Sequence, residues 1–279
     1  MTHRSSVNLF DLNDSVAVVT GGTGALGTAM ALGLARAGAR VGVLARRGDA
    51  AERVVASIEA EGGAAVALSA DVLQAEQLAA ARDVVLERWG RIDLLVNAAG
   101  GNVPGATVSE MQPFLDVTPD AWRTVVDLNL LGTILPCQIF GRAMVDRGPD
   151  AGGSIVNISS MAADRALTRV PGYGAAKAGV ESLTRWLAAE LARVYSPGLR
   201  VNAIAPGFFI GDQNRALLID SHGNLTERGR RIIEHTPAGR FGEPDDLVGT
   251  LLWLCSPGAR FVTGIVVPVD GGFSSFSGV

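Results

Sequence analysis

"VVTGGTGALG", residues 18–27, is where the chain first declares a fold class. It closes an apolar run, "SVAVVTG", of the kind that forms a buried strand, and it opens "ALGTAMALGLARAG" (25–38), whose apolar residues recur at helical spacing. A strand, a glycine-rich turn and a helix in that order make the context a dinucleotide-binding loop needs. Gly22, Gly24 and Gly27 fit G-x-G-x-x-G. Without Cβ atoms there, the backbone turns tightly and approaches a pyrophosphate, which rests on the first amides of the helix. Gly21, Thr23 and Leu26 complete that loop.

The same alternation continues to the C-terminus. Six further strands are expected in "RVGVLAR", "AAVALSAD", "IDLLVNAAG", "GSIVNISS", "LRVNAIAPG" and "IVVPVDGG". Helices are expected between them: "AERVVASIEAEG", "EQLAAARDVVLERWG", one long helix around 119–147, another over 172–195, and "EPDDLVGTLLWLC". Most run into a glycine, as helix C-termini commonly do. Strands alternating with helices imply βαβ units, hence an α/β fold: a doubly wound (Rossmann) sheet of about seven parallel strands with helices on both faces. With no repeat and no Pro/Ser-rich linker, residues 1–279 read as one dinucleotide-binding and catalytic domain. Residues 1–7 are expected to be flexible, and 101–118, 161–171 and 207–242 irregular. All three irregular pieces follow a strand, at the edge where such sheets bind ligands.

Composition narrows the partners. The 279 residues are 48% hydrophobic, enough for a substantial core, and the net charge of -4 is scattered, with no basic block for nucleic acid or an anionic membrane surface. No apolar run is read as a membrane span, and "MTHRSSVNLF" lacks the apolar centre of a secretory signal, so a cytoplasmic location is expected. Cys137 and Cys255 lie far apart in apolar stretches, as buried reduced thiols do, and His3, His222 and His235 form no ligand-spaced cluster, so no metal is expected.

Two local patterns bear on chemistry. The second strand ends in Ala45, Arg46 and Arg47 with no acid before Asp49, where sites for NAD usually place a carboxylate for the ribose 2′-hydroxyl and sites for NADP an arginine. Arg46 therefore favours NADP(H), with NAD(H) as the alternative. Asp71, at the end of the third strand beside Val72, either accepts from the adenine amino group or caps the next helix. In "GYGAAKAG" (172–179), Tyr173 and Lys177 stand four apart, so on a helix the phenol and the ammonium share one face.

Taken together, "TGGTGALG", "NAAG" (97–100), Asn129 in "DLNLLG", "NISS" (157–160), "YGAAK" (173–177) and "NAIAPG" (202–207) resemble the short-chain dehydrogenase/reductase family over essentially the whole chain from about residue 8. The motifs occur in family order, with Ser160 and Tyr173 13 residues apart, and depart from the family's T-G-x-x-x-G-x-G at Ala25. The resemblance implies that Tyr173 is the general acid protonating the substrate oxygen. Lys177 would bond the nicotinamide ribose and lower the tyrosine's pKa, Ser160 would hold the carbonyl oxygen, and Asn129 would hold a water in a proton relay. Ser159 is set aside because family spacing selects the second serine. By the same resemblance Asn97, Ala98 and Gly100 lie by the adenosine ribose, and Pro206 and Gly207 form the turn under the nicotinamide. A homotetramer is also implied, built on the helix 172–195 and the segment from 243 onward.

"NAAGGNVPGAT", "GFFIGDQNRALL" and "VDGGFSSFSGV" resemble the family branch described as D-mannonate oxidoreductases, or D-fructuronate reductases. A sugar acid asks for an arginine fork and amide side chains, and Asn102, Arg165, Gln213, Asn214 and Arg215 are the candidates. That branch is often described with NAD, against Arg46. Alternatives are a reductase of another carbonyl, such as a 3-oxoacyl thioester or a polyol ketone, an epimerase, and a catalytically silent nucleotide-binding protein. The intact Ser160, Tyr173, Lys177 and Asn129 argue against the last.

Overall fold

In "SVAVVTG", Val16 and Val18 face one layer and Ala17 and Val19 the other, and all four are fully buried. A strand apolar on both faces needs a cover on each side, which a parallel sheet with helices on both faces supplies. The computed structural model describes residues 9–211 and 215–278 and has that arrangement. The chain runs β1 (Val16–Thr20), α1 (Ala25–Arg36), β2 (Arg40–Ala45), α2 (Gly48–Ala60), β3 (Ala65–Ser69), α3 (Ala75–Trp89) and β4 (Leu94–Asn97). It continues through α4 (Pro119–Val126), α5 (Gly132–Val145), β5 (Gly152–Ile158), α6 (Pro171–Glu190) and β6 (Gly198–Pro206). The last elements are α7 (Arg215–Leu218), α8 (Glu227–Glu234), α9 (Val248–Cys255) and β7 (Val266–Val269).

The seven strands pair in the order β3-β2-β1-β4-β5-β6-β7, and every pairing is parallel. Strand order reverses between β1 and β4, and a crevice for a ligand opens at that point beyond the carboxyl ends of the strands. One core layer gathers Met30 and Leu34 of α1, Ile58 of α2 and Leu251 of α9. The other gathers Leu78 and Val85 of α3 and Phe140 and Met144 of α5.

Three expectations need correction. The long helix of 119–147 is interrupted: a π-helical segment, Asp127–Leu131, joins α4 to α5. The region 207–242 contains α7 and α8. Thr226 caps α8 by accepting from the Gly229 N–H at 3.0 Å, and Ile232 packs with Leu218 and Phe241 in a small core of its own. An eight-residue helix with one short apolar face gives little periodic signal in sequence. Lastly, Pro119–Val145 is long and apolar enough to cross a membrane by length and composition. Here it is a core helix, with Val125, Phe140 and Met144 buried in the protein.

Candidate active site

The glycine turn after β1 is held by close backbone approach. Gly21 has φ +64°, and a Cβ on it would lie 2.7 Å from Ala99 Cα. A Cβ on Gly27 would lie 2.2 Å from the Gly21 carbonyl oxygen, so the first turn of α1 sits directly on the loop. Gly24, in contrast, has ordinary contacts and serves as the N-cap of α1, with no side chain to occupy the helix's first amides. The sterically demanding glycines are thus Gly21, Gly22 and Gly27, a shift of emphasis from the Gly22, Gly24, Gly27 spacing. Ala25 is exposed and its methyl faces the Gly211 backbone, so it leaves the turn uncrowded. Thr23 lies on the loop, half-buried, and Leu26 packs against the core.

At the carboxyl end of β5, two serines take opposite jobs. Ser159 donates to Glu181 Oε1 at 2.9 Å and ties the strand to α6. Ser160 accepts from the Ala162 N–H at 3.2 Å, and its hydroxyl is near enough to Tyr173 to pull the phenol's pKa down. Tyr173 and Lys177 lie one turn apart on α6, the ammonium 5.6 Å from the phenol ring centroid. Lys177 is 3% exposed and donates to the Ile158 carbonyl at 2.7 Å. Asn129, on the π segment and fully buried, reaches the Gly100–Gly101 turn after β4. Its Oδ1 accepts from the Gly101 N–H at 2.9 Å, and its Nδ2 donates to the Gly101 carbonyl at 2.8 Å. A Cβ on Gly100 would lie 2.7 Å from Asn129 Oδ1 and 3.3 Å from Lys177 Nζ. Four residues drawn from the π segment, the end of β5 and α6 thus converge beside the turn after β4.

The family model described as enoyl-(acyl carrier protein) reductase matches residues 22–274. An uncharacterized oxidoreductase of Bacillus subtilis, UxuB, is 45% identical over 278 residues, covering 96% of this chain and 98% of its own length. This chain belongs to the short-chain dehydrogenase/reductase family. Among solved structures, a Haemophilus influenza protein provisionally described as a D-mannonate oxidoreductase, with bound NAD, is 40% identical with a TM-score of 0.89, covering 96% of this chain and 98% of that one. A Beutenbergia cavernae protein provisionally described as an NAD(P)-dependent gluconate 5-dehydrogenase, with bound NADP at low occupancy, is 36% identical with a TM-score of 0.85, covering 96% and 100%. The protein is an NAD(P)-dependent oxidoreductase acting between an alcohol and a carbonyl.

Within this short-chain dehydrogenase/reductase, the protein's own groups do not acidify the tyrosine. Burial pushes the Tyr173 phenol up, against a downward pull from the Ser160 hydrogen bond, while burial lowers Lys177 to about 8. The lowering expected from Lys177 together with the oxidised nicotinamide concerns the cofactor-bound state; in the protein alone the Lys177 ammonium is bonded to the Ile158 carbonyl. Asn97 points into the core, donating to Asn157 Oδ1 at 2.9 Å and to Cys137 Sγ at 3.1 Å. Its place in the crevice comes through the backbone that follows it, Ala98 to Gly100. The Asp71 carboxylate accepts from the Leu73 N–H at 2.9 Å, bracing the turn before α3, and Val72 packs on Gly132. Arg46 is exposed and makes no hydrogen bond or ion pair among the described residues, whereas Asp49 is bound by Arg53 at 2.9 Å. Pro206 ends β6, and the Gly207 N–H donates to the Val269 carbonyl at 3.0 Å.

Among the described residues, no bond joins the substrate candidates Asn102, Arg165 and Arg215 to one another. Asn102 donates to Thr107 at 2.6 Å within its own loop. Arg165 pairs with Asp164 at 3.3 Å and bonds the Ser274 carbonyl of the C-terminal segment. Arg215 is exposed at the start of α7, and Gln213 and Asn214 lie outside the described residues. Sequence reasoning passed over Arg169, four residues before Tyr173, and Arg228 on α8. The one available signal was that Arg169 stands in an irregular segment immediately before α6.

Proposed function

We propose that this enzyme interconverts D-fructuronate and D-mannonate, reducing the C5 ketone of an open-chain hexuronate. The observation that carries the reaction type is the Tyr173 phenol with the buried Lys177 ammonium 5.6 Å from its ring and the Ser160 hydroxyl acting on it. The sugar acid is supported by likeness to the Haemophilus and Beutenbergia proteins along nearly the whole chain. NADP(H) is the favoured cofactor, and the residues fit it. Gly21, Gly22 and Gly27 stand where side chains have no room, α1 begins without a side-chain cap, and Arg46, without an ion pair among the described residues, stands at the end of β2 for a 2′-phosphate. Asp71 and Val72 would flank the adenine, Ala98 and Gly100 the adenosine ribose, and Pro206 and Gly207 the nicotinamide. When bound, the reduced nicotinamide supplies the hydride.

In this proposal Tyr173 holds the proton that goes to the substrate oxygen and takes it back in the oxidative direction. Ser160 donates to the same oxygen as negative charge builds on it. Lys177 bonds the nicotinamide ribose and keeps a positive charge near the phenol, and Asn129 fixes the Gly100–Gly101 turn, which lies against the Lys177 ammonium. Exposed Trp186, Val194 and Tyr195 near the end of α6, with Phe261 before β7, support a homotetramer. Reduction of D-fructuronate, followed at the nicotinamide absorbance with NADPH and NADH in parallel, tests the proposal. The expected result is turnover that disappears in Tyr173→Phe. No turnover with a cofactor that demonstrably binds would remove the substrate assignment.

A further inference from the structure

The three irregular segments meet at Thr168–Arg169. The segment after β4 is fastened there by the Val108 N–H, which donates to the Arg169 carbonyl at 2.9 Å. Helix α8, from the region after β6, is fastened by Arg228 Nη1, which donates to Thr168 Oγ1 at 3.2 Å. The segment after β5 then runs directly into α6 and Tyr173.

Two guanidinium groups are thereby brought to the same place. Arg169 has φ +77°, a backbone conformation that residues with side chains rarely adopt, and its Nε is buried with no hydrogen-bond partner. Arg228 stands in the first turn of α8, where the helix dipole disfavours a positive charge. Its guanidinium is held below its usual pKa by burial and by the charge of Arg169. Among the described residues no carboxylate pairs with either arginine, and the neighbouring acids are engaged elsewhere: Glu227 with Arg231 and Asp164 with Arg165. Like charges, an unpaired buried donor and a strained backbone all weigh against the fold, and an anion seated between the arginines relieves the first two.

We infer that Arg169 and Arg228 form a fork for the carboxylate of the substrate and so set the preference for a sugar acid over a neutral ketose. Two guanidiniums offer the planar, paired donors a carboxylate accepts. This inference rests on the hexuronate proposal for the identity of the acid. It replaces Arg165 and Arg215, which the structure places elsewhere.

The test compares wild type with Arg169→Asn, Arg228→Gln and Arg228→Lys. Asparagine is used at 169 because it tolerates the left-handed backbone. Kinetics with D-fructuronate are set beside those with D-fructose, which differs by a hydroxymethyl group in place of the carboxylate. The expected result is a rise in KM for the acid of about 10- to 100-fold in Arg169→Asn and Arg228→Gln, with kcat much less affected and part of the loss recovered in Arg228→Lys. The preference for acid over fructose should fall by the same factor. A wild type that reduces D-fructuronate while both variants keep KM within about twofold overturns the fork and leaves the substrate proposal standing. If wild type does not reduce D-fructuronate, the substrate proposal fails, and the fork is decided by thermal stabilisation with D-gluconate, D-sorbitol and inorganic phosphate. A shift with gluconate that Arg169→Asn abolishes sustains the fork. No shift, or a shift with phosphate alone, overturns it as a carboxylate site.

Discussion

Asn129 holds both backbone polar groups of Gly101, accepting from its N–H at 2.9 Å and donating to its carbonyl at 2.8 Å. A π segment loosens the regular i→i−4 ladder, and here Asn129 Nδ2 also takes the Val125 carbonyl, at 2.8 Å. These bonds use both Nδ2 hydrogens and one lone pair of Oδ1, so the side chain fixes the turn and keeps one acceptor position for a water. Asn129→Ala should lower stability by about 2–3 kcal/mol, since buried partners lose their hydrogen bonds. Turnover should fall in parallel, because Gly100 is packed against Lys177 Nζ. Gly100→Ala should lose turnover with every side chain of the site retained, its Cβ having no room beside Asn129. Denaturant unfolding and steady-state rates check both. Wild-type values for either variant would show the turn to be dispensable.

The chain has two tyrosines, Tyr173 and exposed Tyr195, so Tyr195→Phe isolates the Tyr173 phenol. Burial raises its pKa and only the Ser160 bond opposes this. The protein alone should therefore show no phenolate absorbance from Tyr173 up to about pH 10, the ordinary tyrosine value. Adding the oxidised cofactor should move the titration downward, since its positive charge favours phenolate. Ser160→Ala should move it upward. A titration midpoint near neutrality without cofactor would show that Lys177 acidifies the tyrosine unaided.

The sheet was legible because its signals are local and repeated: β1 is apolar on both faces, and the glycine loop joins it to α1. The nearness of Ser160, Tyr173 and Lys177 was legible for the same reason, being carried by spacing within and just before one helix. The direction of the Lys177 ammonium was not, because its partner, the Ile158 carbonyl, lies 19 positions away on another element. Nor was the nearness of Arg169 to Arg228, which depends on the bond from α8 to Thr168. Arg165 and Arg215 looked equivalent to them in sequence, and only tertiary contacts separate a bracing arginine from an unpaired one.

Lys177 should make the protein less stable at neutral pH than a neutral residue of similar shape would. Its pKa falls from 10.5 to about 8 on folding because burial disfavours the ammonium. Between those values the unfolded chain binds more protons, so this contribution to stability rises with pH from about 8 to 10.5. Below pH 8 the full cost stands, roughly 3 kcal/mol from a shift of that size, partly offset by the bond to Ile158. Lys177→Met should therefore unfold at higher urea than wild type at pH 7, while losing turnover, with the gap closing toward pH 10. The thiols Cys137 and Cys255, both pushed up to about 12, titrate alike in the two proteins and cancel in the difference. A variant less stable than wild type at pH 7 would mean that the Ile158 bond outweighs desolvation.

Arg46 should decide between the two nicotinamide cofactors. It is exposed and unpaired at the end of β2, while Asp49, the nearest acid after it, is bound by Arg53 at 2.9 Å and held below the usual carboxylate range mainly by that hydrogen bond. A 2′-phosphate gains a charge-assisted bond from Arg46, and a free 2′-hydroxyl has no carboxylate waiting for it. Arg46→Ala should raise KM for NADPH about 10-fold, the size of one such bond at an exposed site, and leave KM for NADH within about twofold. Arg46→Asp should go further and favour NADH, by repelling the phosphate and accepting from the hydroxyl. Equal loss with both cofactors would mean that Arg46 supports the β2–α2 turn. Unchanged KM for NADPH would point instead to neighbouring Arg47, the N-cap of α2, as the phosphate's partner.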